Sequence, residues 1–170
     1  METTKGRIRA ISISKEKGTP KVNVPQAYLE ADFGIVTDAH AGTDIRQVSL
    51  LAAESIDRMV AEGLKVSPGD FAENITTEGI NLPALKVGSK LIIGPAPIDR
   101  SVSSESESRT GADNWCGVEL EVTQLGKQCH RRCRVFEKVG DCIMPREGVF
   151  AKVTRPGRIM VGDVIEVFND

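Results

Sequence analysis

Along much of this chain the hydrophobic residues recur at every second position, the spacing of strands that bury one face and expose the other. Arg7 to Ser14 contains Ile11-Ser12-Ile13-Ser14, and Val22-Asn23-Val24 alternates. From Gly117 to Thr123, Val118, Leu120 and Val122 fall on one face and Glu119, Glu121 and Thr123 on the other. One stretch departs from this rhythm. Between Leu50 and Glu62 the apolar residues Ala52, Ile56, Met59 and Val60 follow helical spacing, with Ser49 placed as an N-cap and Gly63 as a stop. That pattern predicts a single amphipathic helix.

Two segments echo each other: Val87-Gly88-Ser89-Lys90-Leu91-Ile92-Ile93 and Val161-Gly162-Asp163-Val164-Ile165-Glu166-Val167. Each places a glycine turn before a strand, as two similar barrel corners would. Arg155-Pro156-Gly157-Arg158 has the composition of a turn between the last two strands. From Pro95 to Cys116 the character changes to Pro95-Ala96-Pro97 and a serine- and glutamate-rich run with little to bury. It is expected to be an exposed, mobile loop, either a lid or docking element or a plain surface insertion.

Length and composition narrow the class. At 170 residues the chain fits one hydrophobic core, and 40% hydrophobic with 27% charged residues describes an ordinary globular protein. One domain over residues 6–168 is expected, interrupted by a flexible insertion at 95–117. A net charge of −2 and a pI near 5.8 speak against the broad basic surface that non-specific nucleic-acid binding requires. No run approaches the roughly 20 apolar residues of a membrane-spanning helix, and the N-terminus lacks the apolar core of a signal peptide. The expected location is the cytoplasm.

Cys116, Cys129, Cys133 and Cys142 all lie in the last third of the chain. In a reducing compartment such a cluster points to catalysis or metal binding before disulfides. The richest segment is Lys127-Gln128-Cys129-His130-Arg131-Arg132-Cys133-Arg134. A thiol reacts as its thiolate, and neighbouring cations favour that form. Two alternatives stand beside this reading. Buried packing cysteines are common, and a zinc site is conceivable, although only one cysteine pair is close and its spacing is unlike that of zinc ribbons. His40, in Asp38-Ala39-His40-Ala41-Gly42, falls where periodicity fades and is expected in a loop. A lone histidine there most often has a structural hydrogen-bonding role, with ligand or proton carrier as the alternative.

Four ordered blocks resemble the small bacterial proteins of the molybdenum cofactor sulfurase C-terminal (MOSC) family. The first is Gly34 to Gly42 followed by Arg46-Gln47-Val48-Ser49-Leu50-Leu51, and the second runs from Pro68-Gly69-Asp70-Phe71 through Glu73-Asn74 to Gly79. The third joins Glu119-Leu120-Glu121-Val122-Thr123-Gln124 to Cys129-His130-Arg131-Arg132-Cys133, and the fourth is Gly140-Asp141-Cys142-Ile143-Met144-Pro145-Arg146-Glu147-Gly148 to Ala151. Together they span the chain from about Gly6 to Val167. The segment from Pro95 to Gly117 departs from the family pattern, in which the chain passes almost directly between the flanking strands.

The resemblance implies a mainly β fold: a closed or partly closed barrel of complex topology, related to the barrel domain of pyruvate kinase, with one or two short helices. It also implies a working cysteine, placed at Cys129 with Cys133 as the fallback. Two roles follow. Cys129 either carries sulfur as a persulfide received from a cysteine desulfurase, or ligates molybdenum in the pterin cofactor as a thiolate. Pyridoxal phosphate is expected on the partner desulfurase, since no Schiff-base lysine motif is evident here. A molybdenum cofactor biosynthesis or acceptor enzyme is the other expected partner. His40, Arg46 and Asn74 come from motif loops expected to converge on one barrel mouth, and Arg46, Arg131, Arg132 and Arg146 are candidates to pair with the cofactor's phosphate. A carrier or binding role is preferred to a complete reductase, because larger reductase relatives possess an additional N-terminal β-barrel region. Whether the protein is an enzyme is left open. The rival class is a non-catalytic binding module with structural cysteines.

Overall fold

The computed structural model describes residues 4–17, 19, 21–42, 44–95, 117–126 and 142–169. The long strand β1 (Thr4–Ile13) organises the molecule because both of its edges are used. Arg7 pairs with Glu78 of β6 (Ile75–Glu78) and with Val164 of β11 (Val164–Phe168). Ile11 pairs with Ile75 of β6 and with Val24 of β2 (Val22–Val24). One edge therefore belongs to β6, and β11 and β2 share the other.

From β11 the ring continues through β7 (Lys90–Gly94), β8 (Val118–Leu125), β9 (Val149–Arg155) and β5 (Val48–Ala52) back to β6 and β1. This closes a seven-stranded barrel. Register shifts in β1 between Ile8 and Ala10, and in β8 near Glu119 and between Val122 and Gln124, supply local bends of the kind that closure requires. The corners at Gly88 and Gly162 precede β7 and β11, which are antiparallel neighbours, so the repeated sequence marks two similar barrel corners. A small second sheet joins β3 (Gln26–Glu30), β4 (Gly34–Ile35) and β10 (Gly157–Met160). The turn at Pro156 separates β9 from β10, and β11 follows as a further strand.

Among the described residues only β5 and β6 pair in parallel, and a parallel pair needs a crossover. Helix α1 (Ala53–Ala61) provides it, three residues later than the sequence pattern suggests. Leu50 to Ala52 instead complete β5, and Ser49 is a strand residue: the N-cap is Ala52, with no side-chain cap. The reason is burial on both faces. Val48 and Leu50 enter the barrel core with Ile8, Ile75, Leu120 and Ile165, while Leu51 faces a second cluster with Ile56, Met59, Phe71, Met144 and Phe150. A strand covered on both sides loses the alternation by which strands are read. Gly63, with φ +101°, ends the helical region as expected. A further helix among the described residues, α2 (Met144–Glu147), is a single turn that covers the outer cluster. Among the described residues no helix is long and apolar enough to cross a membrane.

Candidate functional site

After β4 the chain turns through Thr37, whose φ of +80° is unusual for a β-branched residue and costs about 1–3 kcal/mol. The turn delivers the carboxylate of Asp38 into the interior. Its Oδ1 accepts from the Ser14 backbone N–H (3.0 Å) and from Lys21 Nζ (2.6 Å), and its Oδ2 accepts from the His40 backbone N–H (3.1 Å). The side chains of Lys21 and Asp38 are both fully buried. Burial alone would raise the Asp38 carboxyl, but the hydrogen bond and charge of Lys21, the Ser14 N–H and the Asn74 amide together hold it below the usual carboxylate range. Burial pulls Lys21 below the usual lysine range, an effect that Asp38 offsets only in part.

Lys21 is seated by the Pro68-Gly69 turn. Gly69 accepts the Lys21 backbone N–H (3.0 Å), and a Cβ at this position, where φ is +97°, would lie 2.8 Å from the Lys21 carbonyl oxygen. The same glycine donates its N–H to Glu73 Oε1 (2.6 Å), which also accepts from Thr76 Oγ1 (3.0 Å). Glu73 is fully buried, its Oε2 has no partner among the described residues, and burial pushes its carboxyl up to about 7.

A cavity of about 440 Å³ opens beside this buried pair, lined among others by Lys17, His40, Asp44, Arg46, Ser49 and Phe150. Its apolar wall is made by Phe71, Met144 and Phe150, members of the outer cluster, so it lies over that cluster rather than over the barrel interior. Arg46 stacks over the Phe150 ring at 5.9 Å, a cation–π contact that orients the guanidinium. Thr123 fixes the same stretch by donating to the carbonyl of Ile45. Ala72, another wall residue, has φ +66°.

The structure thus brings His40 and Arg46 together on one cavity. Asn74 lies beneath it, fully buried: its Oδ1 accepts from the Ser49 N–H (3.0 Å) and Oγ (3.1 Å), and its Nδ2 donates to the Ser12 carbonyl (3.1 Å). It supports the floor and does not line the space. Arg146 is exposed on α2, outside the lining set, although Met144 of the same turn belongs to it. Cys142 is partly buried against the outer cluster. Cys129, Cys133, His130, Arg131, Arg132 and Cys116, and the insertion expected from Pro95 to Gly117 apart from its two ends, lie outside the described residues. Gly126 donates its N–H to the Gly148 carbonyl, just beyond α2, while Cys142 leads into α2. Among the described residues no cluster of side chains suits a metal ion.

Lys17, Lys21, Ser49 and Glu73 were not expected in this role. Lys21 reads as a solvated residue in Gly18-Thr19-Pro20-Lys21, and nothing local marks its carboxylate partner 17 positions away. Ser49 reads as a helix cap only because the doubly buried β5 hides its strand character.

A family model described as the MOSC domain matches residues 37–166. Comparison with curated proteins gives no significant match. Among solved structures, the YuaD protein from Bacillus subtilis is similar at a TM-score of 0.72 with 19% identity, over 98% of this chain and 97% of that one. YiiM from Geobacillus stearothermophilus is similar at 0.64 and 15% identity, over 96% of this chain and 75% of that one. YiiM from Escherichia coli is similar at 0.59 and 16% identity, over 96% and 70% respectively. At these identities the likeness is one of fold.

Proposed function

Because the chain belongs to the MOSC domain family, which is linked to the molybdenum cofactor, we propose that it binds that cofactor, holding its anionic end in the cavity beside His40 and Arg46. The observation that carries this reading is the meeting of Lys17, His40 and Arg46 on one cavity of about 440 Å³. Two cations and an imidazole against one carboxylate, Asp44, favour an anion, and the guanidinium fork is shaped for phosphate. Ser49 adds a hydroxyl at the floor, and Phe71, Met144 and Phe150 give an apolar wall suited to a flat ring system. The cofactor, when bound, would supply the metal's oxygen- and sulfur-transfer chemistry. The chain would supply charge neutralisation, orientation and the thiolate of Cys129.

Cys129, with Cys133 as the alternative, is the proposed sulfur donor to the metal. The same thiol suits the carrier role: a cysteine desulfurase bearing pyridoxal phosphate would transfer one sulfur atom from free cysteine, leaving alanine and a Cys129 persulfide. Arg131 and Arg132, beside it in sequence, would stabilise the anionic sulfur. The expected site of this activity is the cytoplasm.

The test is elemental and mass analysis of the whole chain. After incubation with isolated cofactor, the wild type should retain molybdenum and Cys129→Ser should lose most of it. After incubation with a desulfurase and cysteine, intact mass should show one added sulfur, absent from Cys129→Ser. A chain that retains neither metal nor sulfur would leave the binding-module reading in its place.

A further inference from the structure

A histidine that acts as a base usually has a carboxylate at Nδ1, which accepts the proton there and leaves Nε2 with its lone pair. His40 has the opposite arrangement. Its Nδ1 lies 3.0 Å from the buried ammonium of Lys21 and 3.9 Å from Asp38 Oδ2, too far for a hydrogen bond to the carboxylate. The ammonium has three protons and three acceptors: Asp38 Oδ1 at 2.6 Å, Ser14 Oγ at 3.2 Å and His40 Nδ1 at 3.0 Å. Ser14 Oγ gives its own proton to the Glu16 carbonyl (3.0 Å), so it meets Lys21 as an acceptor. An ammonium can only donate, which leaves the Nδ1 lone pair as the partner and puts the ring proton on Nε2. Asp38 fixes the same residue a second way, through the His40 backbone N–H.

We propose that Lys21 is a positioning residue, holding the His40 ring as the Nε2-protonated tautomer so that His40 serves the cavity as an N–H donor to an anionic ligand rather than as a base. The tautomer half stands on the buried contacts alone; the donor half rests on the anion-binding reading of the cavity. His40 is suited to it because the ring lines the cavity with 37% of the side chain exposed, while the lysine that orients it is wholly buried. The arrangement is a cationic counterpart of the partners that fix ligating histidines from behind.

The chain has only two histidines, His40 and His130, so nitrogen-15 NMR of the imidazoles at neutral pH, assigned with His130→Gln, reads the tautomer directly. The expected His40 spectrum has a protonated Nε2 and a bare, hydrogen-bonded Nδ1. A proton on Nδ1, on both nitrogens, or averaged between them overturns the proposal. Lys21→Met combined with Asp38→Asn removes both buried charges together, and should release the ring into a tautomer mixture. An unchanged spectrum in that folded variant also overturns it, and the wild-type measurement decides alone if the variant does not fold. Inorganic phosphate is the probe for the second half. It should shift Nε2 in the wild type and bind about tenfold more weakly to the double variant, whereas Arg46→Ala should weaken phosphate binding and leave the tautomer in place. The expected tautomer with no response to phosphate overturns the donor role and the cavity reading, and upholds the positioning by Lys21.

Discussion

Lys21 and Asp38 form an ion pair whose energetic sign depends on keeping both partners. Taking two charges out of water costs several kcal/mol each, and here that cost is met by a 2.6 Å contact, by the hydrogen bonds Lys21 donates to Ser14 and His40, and by those Asp38 accepts from the Ser14 and His40 backbone N–H groups and the Asn74 amide. Lys21→Met alone is therefore expected to destabilise the protein by about 3–5 kcal/mol in urea unfolding, because it strands a buried carboxylate. Adding Asp38→Asn should recover more than half of the loss. Glu73 behaves differently, because burial outweighs the hydrogen bonds its carboxyl accepts from Gly69 and Thr76. Its carboxyl holds a proton more tightly in the folded chain, at about 7, than in the unfolded chain, at 4.5. Its contribution to stability is thus fully present below 4.5 and is lost as pH rises through about 7. The loss amounts to roughly 3 kcal/mol. Urea midpoints measured across that range should fall for the wild type, and the fall should be much smaller for Glu73→Gln, which carries no ionisable group there.

At the scale of elements, the Pro68-Gly69 turn holds the site together: it pairs with the Lys21 backbone, caps Glu73 and sends Phe71 and Ala72 into the cavity wall. Gly69→Ala is expected to cost more than about 1 kcal/mol, since it adds a side chain at a positive φ and within 2.8 Å of the Lys21 carbonyl oxygen. Thermal unfolding checks this, and the His40 imidazole signals should move with it. The strands were legible where one face is wet. In β8, Val118, Leu120 and Val122 are buried and alternate with partly exposed residues, as their sequence pattern requires. β5 was not legible as a strand, because it lies between the barrel core and the α1 layer and is buried at every position. Of the site, His40 and Arg46 could be found from their motif loops, whereas Lys21 could not. Its burial depends on a carboxylate brought to it by tertiary structure, and the residues around it look like an ordinary turn.

The molecule as a whole is a closed ring with the described part of its candidate site on one outer flank. The barrel leaves no free edge between β1 and β11 and its core is filled by aliphatic side chains, so the cavity lies outside the barrel, over the second cluster. Two apolar layers sharing β5 give that flank a rigid base. Truncating the outer layer with Phe71→Ala should therefore weaken both stability, by about 3–5 kcal/mol, and retention of a cavity ligand. A comparable aliphatic truncation in the barrel core, such as Leu91→Ala, should affect stability first. The most direct test of the account is a binding titration of isolated molybdenum cofactor against the wild type and Arg46→Ala. Saturable binding by the wild type, weakened about tenfold or more by the loss of the guanidinium, is the predicted result; equal binding by the two proteins, or binding by neither, would contradict it.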